Sequence, residues 1–173
     1  MTEADRAPTA KEQLAAIASL SGVLDQQAVD YWLFGGWAVD FWVGAVTREH
    51  DDIDVVAWRR DYDPIKTVLE AAGWRHRPEA DEVVGTRYQF GPALVEFTFV
   101  VADDDGGIVI PMPSQPLVWS AAPFGDDRRE LLGVTSRVIP LRLLKTGKSV
   151  PRESAVEAAK DRADFQALSR LEA

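Results

Sequence analysis

At 173 residues, 46% hydrophobic and 27% charged, the chain has the length and balance of one globular domain with its own core. There is no cysteine, which excludes disulfides and thiolate metal sites. A net charge of -9, from 28 acidic and 19 basic residues, argues against a nucleic-acid partner and suits a cationic molecule or a metal–nucleotide complex.

Met1 to Ala10 is small, polar and aperiodic and is expected to be disordered, leaving residues 11–173 as a single domain. Glu3 and Asp5 stand where a signal peptide carries positive charge. No apolar run nears the roughly 18 residues that span a membrane, so a cytoplasmic protein without a membrane partner is expected. From Thr9 to Val29 the spacing of Leu14, Ile17, Leu20 and Leu24 predicts an amphipathic helix, weakened at Ser21-Gly22. Tyr31 to Phe34 reads as a strand stopping at Gly35-Gly36, and Trp37 to Val43 as a short buried helix. A second strand is predicted over Ile53–Trp58 and a helix over Asp61–Ala72, with Gly73 at its C-terminal stop.

Beyond Trp74 the periodicity becomes that of strands: Trp74–His76, Thr86–Phe90, Leu94–Val101, Gly107–Ile110 and Val134–Val138. Pro140 suits the first position of a helix over Leu141–Lys145, and Pro151 opens a long helix to the C-terminus, so the chain is helical from about residue 140. The expected fold is α/β (α+β): a mixed sheet with helices on one side and a helical C-terminal end.

Two stretches carry chemistry. Gly35-Gly36 follow a strand and precede a helix, where absent side chains and a helix N-terminus favour a phosphate; alone, a glycine pair is usually a turn. Asp52 and Asp54 flank Ile53 at a strand start, so both carboxylates share one face, with Cα atoms about 6.6 Å apart. They repel unless a hard cation such as Mg²⁺ lies between them, although a solvated strand end is the common case. Glu96 interrupts the apolar run Leu94–Val101. If that strand lies beside the first, three carboxylates converge as in a two-metal phosphoryl-transfer site; otherwise Glu96 faces solvent.

The segment Gly35 to Asp54, GGWAVDFWVGAVTREHDDID, resembles the signature of the polymerase-β-like nucleotidyltransferases, and more closely that of the small lincosamide and aminoglycoside nucleotidyltransferases. The resemblance rests on Gly35–Asp40, Thr47–His50 and Asp52–Asp54, with Glu96 where the family has its third carboxylate and Lys160–Asp164 resembling its C-terminal Lys-Asp segment. It implies that Asp52 and Asp54 ligate two Mg²⁺ ions, that Glu96 ligates one and serves as general base, and that Gly35, Gly36, Arg48 and Lys160 hold the triphosphate of ATP or another nucleoside triphosphate. Bland alternatives stand beside these: Arg48 neutralising Asp51 or Asp52, and Lys160 pairing with Asp164 along a helix. His50 reads as structural, and Trp37 as packing for the loop helix. Phe34 departs from the family, whose members often carry a small or acidic residue there; Glu96 stands where several use Asp.

The implied reaction moves a nucleoside monophosphate to a hydroxyl of a small cationic molecule, such as an aminoglycoside or lincosamide antibiotic. Asp103-Asp104-Asp105, Glu79, Asp81 and Glu82 are candidate acceptor contacts, the Asp run being also a turn signal. Rival readings are an RNA-modifying toxin–antitoxin enzyme and a non-catalytic nucleotide-binding module. A homodimer is compatible with so small a chain.

Overall fold

The computed structural model describes residues 2 and 5–171. The expected disorder over 1–10 lies partly outside those residues; within them Arg6 pairs with Glu12, and Thr9 caps the first helix. Helix α1 (Ala10–Gln26) begins at a capping box: the Thr9 hydroxyl accepts from the Glu12 N–H, and the Glu12 carboxylate accepts from the Thr9 N–H at 2.8 Å. It runs unbroken through Ser21-Gly22, because Leu14, Ile17, Leu20 and Leu24 are buried along one face and outweigh one glycine.

Strand β1 (Tyr31–Phe34) ends at Gly35, whose φ of +65° suits glycine, and α2 (Gly35–Val43) starts there. Strand β2 (Ile53–Trp58) leads through a single 3-10 turn at Arg59–Asp61 into α3 (Tyr62–Ala71). Then come β3 (Arg75–Arg77), β4 (Gly85–Phe90), β5 (Ala93–Ala102), β6 (Ile108–Ile110), β7 (Leu117–Ser120), β8 (Arg128–Leu131) and β9 (Val134–Arg137). Helices α4 (Leu141–Lys148) and α5 (Ala155–Ser169) close the chain. Two strands, β7 and β8, exceed the sequence expectation. Pro140 precedes the first turn of α4, and α5 starts at Ala155 under a Ser154 cap, four residues past Pro151.

The sheet order is β1-β2-β5-β4-β3, with β2 and β5 parallel and the other neighbours antiparallel. The far end of β5 pairs with β6, and β6 with β7. The β8–β9 hairpin stands apart and joins β1 through a bridge between Leu33 and Val138. Alternation gives the sheet two unlike faces. One carries Tyr31, Leu33, Ile53, Val55, Val95 and Phe99, all fully buried. It packs under α1 and α3: the Tyr31 hydroxyl donates to Asp25 of α1, and Tyr62 of α3 meets Phe99 edge-on at 5.5 Å. The opposite face carries Phe34, Asp54 and Glu96, each half-buried. Helices α4 and α5 pack on each other and on α2, so the C-terminal helices stand at the end of the sheet where α2 begins. Among the described residues, no helix is long and apolar enough to cross a membrane.

Candidate active site

The register places Asp54 of β2 directly beside Glu96 of β5. Asp52, two residues before Asp54, shares its face, and carboxylate oxygens of all three residues lie within 4.8 Å of one another. The strand adjacency on which this convergence depended is therefore present. Burial, followed by the neighbouring charges of Asp52 and Glu96, pushes the Asp54 carboxyl up to about 7. Asp52 is raised by burial and then by Asp51, with Lys160 opposing; Glu96 is raised by burial and then by Asp52, with Arg87 opposing from β4. Three hard oxygen donors that repel one another at this range suit a divalent cation, which would remove the cost of ionising them together.

A cavity of about 400 Å³ opens between the β1–α2 junction and helices α4 and α5. Gly35 and Gly36 line it beside Asp52 and Asp54. Neither position tolerates a side chain: a Cβ on Gly35 would run into the Asp54 carboxylate, and one on Gly36 would lie 2.6 Å from Arg48 Nη2 and strike His50. The first turn of α2, which has no side-chain cap, thus starts beside the carboxylates, with Gly35 and Gly36 lining the cavity.

Arg48 and Lys160 both reach this cavity, but not with the partners expected from sequence. Arg48 binds neither Asp51 nor Asp52; its Nε and Nη2 donate to the buried Asp164 of α5, both at 3.0 Å. Lys160 pairs with Asp51 at 3.0 Å and Glu157 at 3.2 Å rather than with Asp164, which is engaged by Arg48 and by Lys148 at 2.8 Å. Lys148 and Arg152 also line the cavity, each holding Asp161. Sequence reasoning missed them, because basic residues around a helix end usually mean only a helix dipole or exposed charge.

Behind the glycines lies a buried brace. Asp40 accepts from the backbone N–H of Thr47 at 3.2 Å and hydrogen-bonds His50 Nε2 at 2.6 Å. Gln13 of α1 donates to the His50 carbonyl, and the Trp37 ring packs against the His50 ring, tilted by 40° at a centroid distance of 4.7 Å. His50 and Trp37 therefore have the structural positions expected for them.

On the other side of Asp54 lies a second cavity, of about 320 Å³, whose lining includes Glu96, Glu79, Asp81, Thr86 and Thr98. Glu82 turns away to Tyr62 and His76. Asp103-Asp104-Asp105 belongs to neither cavity: it caps the β5–β6 turn, where Asp103 accepts from the Asp105 and Gly107 N–H groups. Seven residues separate it from Glu96, roughly 23 Å along a strand. The turn reading of that run holds, and the acceptor reading does not.

A glycine-led helix start, Asp-x-Asp on the adjacent strand and a third carboxylate on its parallel neighbour define a polymerase-β-like nucleotidyltransferase fold. Residues 16–142 match the aminoglycoside-2''-adenylyltransferase family, and the chain belongs to that family. It is 33% identical over 69 residues to the 2''-aminoglycoside nucleotidyltransferase of Escherichia coli, a match covering 40% of this chain and only 39% of the relative. Among solved structures, lincomycin-bound LnuA, a lincosamide antibiotic adenylyltransferase, superposes with a TM-score of 0.70 at 20% identity, over 95% of this chain and 98% of that one. ANT(2'')-Ia in complex with adenylyl-2''-tobramycin gives 0.65 at 22% identity, over 90% and 89%.

Proposed function

We propose that the protein transfers AMP from Mg-ATP to a hydroxyl of a small cationic acceptor of the aminoglycoside type. The observation that carries this reading is the carboxylate cluster of Asp52, Asp54 and Glu96, set where two cavities meet, one lined by cations and acids together and the other by acids without a cation. The relatives add the substrate class, since those it matches are named for aminoglycosides or were solved with lincomycin or adenylyl-tobramycin.

Asp52, Asp54 and Glu96 would hold a pair of Mg²⁺ ions, which when bound supply Lewis acidity and charge neutralisation at the reacting phosphate. The amides at Gly35 and Gly36, with Arg48 and Lys160, hold and orient the triphosphate so that its α-phosphorus faces the carboxylates. Asp52 lines only the first cavity, Glu96 only the second, and Asp54 both. Glu96 is therefore the carboxylate that meets the acceptor hydroxyl and takes its proton as the oxygen attacks in line, pyrophosphate leaving on the Arg48 and Lys160 side. Glu79 and Asp81 attract the acceptor's ammonium groups into the second cavity.

The test is pyrophosphate release from Mg-ATP across a panel of aminoglycosides and lincosamides, with Asp54→Asn as control. Acceptor-dependent release that the control loses is expected. No release with any acceptor, while Mg-ATP still binds, overturns the antibiotic assignment; absence of Mg-nucleotide binding overturns nucleotidyl transfer itself.

A further inference from the structure

Residues 78–84 join β3 to β4, and this short loop sends side chains to both faces of the sheet. Glu79 and Asp81 line the second cavity, beside Glu96. Glu82 goes the other way, to the face that packs under α1 and α3. There its Oε1 accepts from the Tyr62 hydroxyl of α3 at 3.2 Å and lies 3.1 Å from His76 Nε2 of β3. His76 is itself held: Nε2 is 2.8 Å from the hydroxyl of the buried Thr86, and the ring stacks on the fully buried Tyr88 at 4.8 Å. The loop's other ties differ in kind. Glu79 pairs with Arg87 at 2.6 Å, but both side chains are 38% exposed and water screens the pair. Asp81 accepts from the Val83 N–H at 3.0 Å, a bond inside the turn itself. The Val84 carbonyl accepts from the Phe99 N–H at 2.9 Å, which fixes only the end of the loop.

We infer that Glu82 is a positioning residue for the acceptor: by latching the loop to Tyr62 and His76, it holds Glu79 and Asp81 at the second cavity. This rests on the nucleotidyl-transfer reading of the same site. Glu82 lines neither cavity, so it acts through its two neighbours and touches neither substrate. Its effect is geometric. A loose loop must be ordered when a cationic acceptor binds its carboxylates, and that ordering lowers affinity; a loop already tied down has less freedom to lose. The latch also has a definite chemistry. Oε1 meets both partners, while Oε2 is buried without a hydrogen-bond partner among the described residues. The latch therefore needs one acceptor oxygen at that point rather than a charge. An amide oxygen on a side chain of equal length serves as well, whereas a side chain one methylene shorter does not reach.

The experiment measures kcat and both KM values, with Mg-ATP and the aminoglycoside turned over fastest, for the intact chain, Glu82→Ala, Glu82→Asp, Glu82→Gln and Tyr62→Phe. Glu82→Ala and Glu82→Asp should raise the acceptor KM by about fivefold or more, with kcat and the KM for ATP within about twofold. Glu82→Gln should stay within about twofold of the intact chain throughout. Tyr62→Phe, which keeps the ring against Phe99 and removes one bond of the latch, should raise the acceptor KM by a smaller factor. Added to Glu79→Gln with Asp81→Asn, Glu82→Ala should change the acceptor KM by less than about twofold, because the carboxylates it positions are already gone. Hydrogen exchange should speed up in Glu82→Ala over residues 78–84 and not over β2 or β5. Losses shared by kcat and both KM values make Glu82 a mere support of the fold and overturn the inference. So does Glu82→Gln behaving like Glu82→Ala, which makes the charge itself the active feature, and so does an unchanged acceptor KM in Glu82→Ala. If the intact chain turns over no cationic acceptor, the transfer reading falls, and the latch's role with it.

Discussion

Ionising Asp54 in the metal-free fold is costly, and pH sets how much of that cost is present. An ordinary carboxyl titrates near 3.8 when the chain unfolds, whereas folded Asp54 titrates at about 7. The folded state therefore holds the extra proton across that interval, and stability falls as pH rises through it, the loss being complete above about 7. Thermal melts without metal should give a lower Tm at about pH 8 than at about pH 5, Mg²⁺ should restore the difference, and Asp54→Asn should flatten it. Metal binding should also tighten with pH across the same interval and release protons, which calorimetry in buffers of different ionisation enthalpy would detect. Gly35 poses a different constraint. Gly35→Ala puts a side chain at φ +65° and into the Asp54 carboxylate, so about 1–3 kcal/mol of stability should be lost in denaturant titrations, together with nucleotide binding.

Helix α5 works as a clamp across the sequence. Asp164 is almost wholly buried, and although burial alone would raise its carboxyl, the hydrogen bonds from Arg48 and Lys148 outweigh burial and hold it below the usual range. Its contribution is thus present above the ordinary carboxylate range and disappears only as pH falls through the lowered value. Asp164→Asn should cost about 3 kcal/mol by removing the carboxylate that Arg48 binds and one of the two that Lys148 binds, measured by denaturant unfolding, and should raise the KM for ATP more than it changes the KM for the acceptor. Lys148, Arg152 and Trp119 mark where the sequence was hardest to read. The acidic pattern of Asp52, Asp54 and Glu96 is legible because strand alternation alone assigns them a face. The cations are not, because what they touch depends on how α4 and α5 close over α2. Strand β7, with Trp119, lies among Pro and Ser residues that read as loop, although Leu117-Val118-Trp119 carries the β-branched and aromatic composition of a strand.

At the scale of the whole molecule, the fold sets two differently lined cavities on either side of one residue, Asp54. On one side of Asp54 the glycines and the cations Arg48, Lys148, Arg152 and Lys160 stand among Asp51, Asp52, Glu157 and Asp161, whereas the other side carries Glu79, Asp81 and Glu96 with no cation in its lining. Changes on one side should therefore leave the other substrate's KM alone. Glu79→Gln with Asp81→Asn should raise the KM for a cationic acceptor by about fivefold or more, leave the KM for ATP within about twofold, and lose that effect in high salt. The general layout of strand, glycine turn, helix and second strand follows from periodicity and punctuation. The pairing of β2 with β5 across some forty residues does not, because nothing local specifies which distant strand becomes a neighbour.

The distance between Arg48 and Asp164 along the chain also orders events in time. Everything that places the carboxylates together has been synthesised once β5 is complete at Ala102, whereas the α5 side chain that anchors Arg48 comes 62 residues later. At roughly 5–20 residues per second, that leaves about 3–12 s during which a growing chain can hold the acidic cluster with neither Asp164 nor Lys160 in place. In that interval the counter-charge already synthesised is that of Arg87 and of an Arg48 not yet anchored, so α5 completes an electrostatic balance that the nascent sheet starts without.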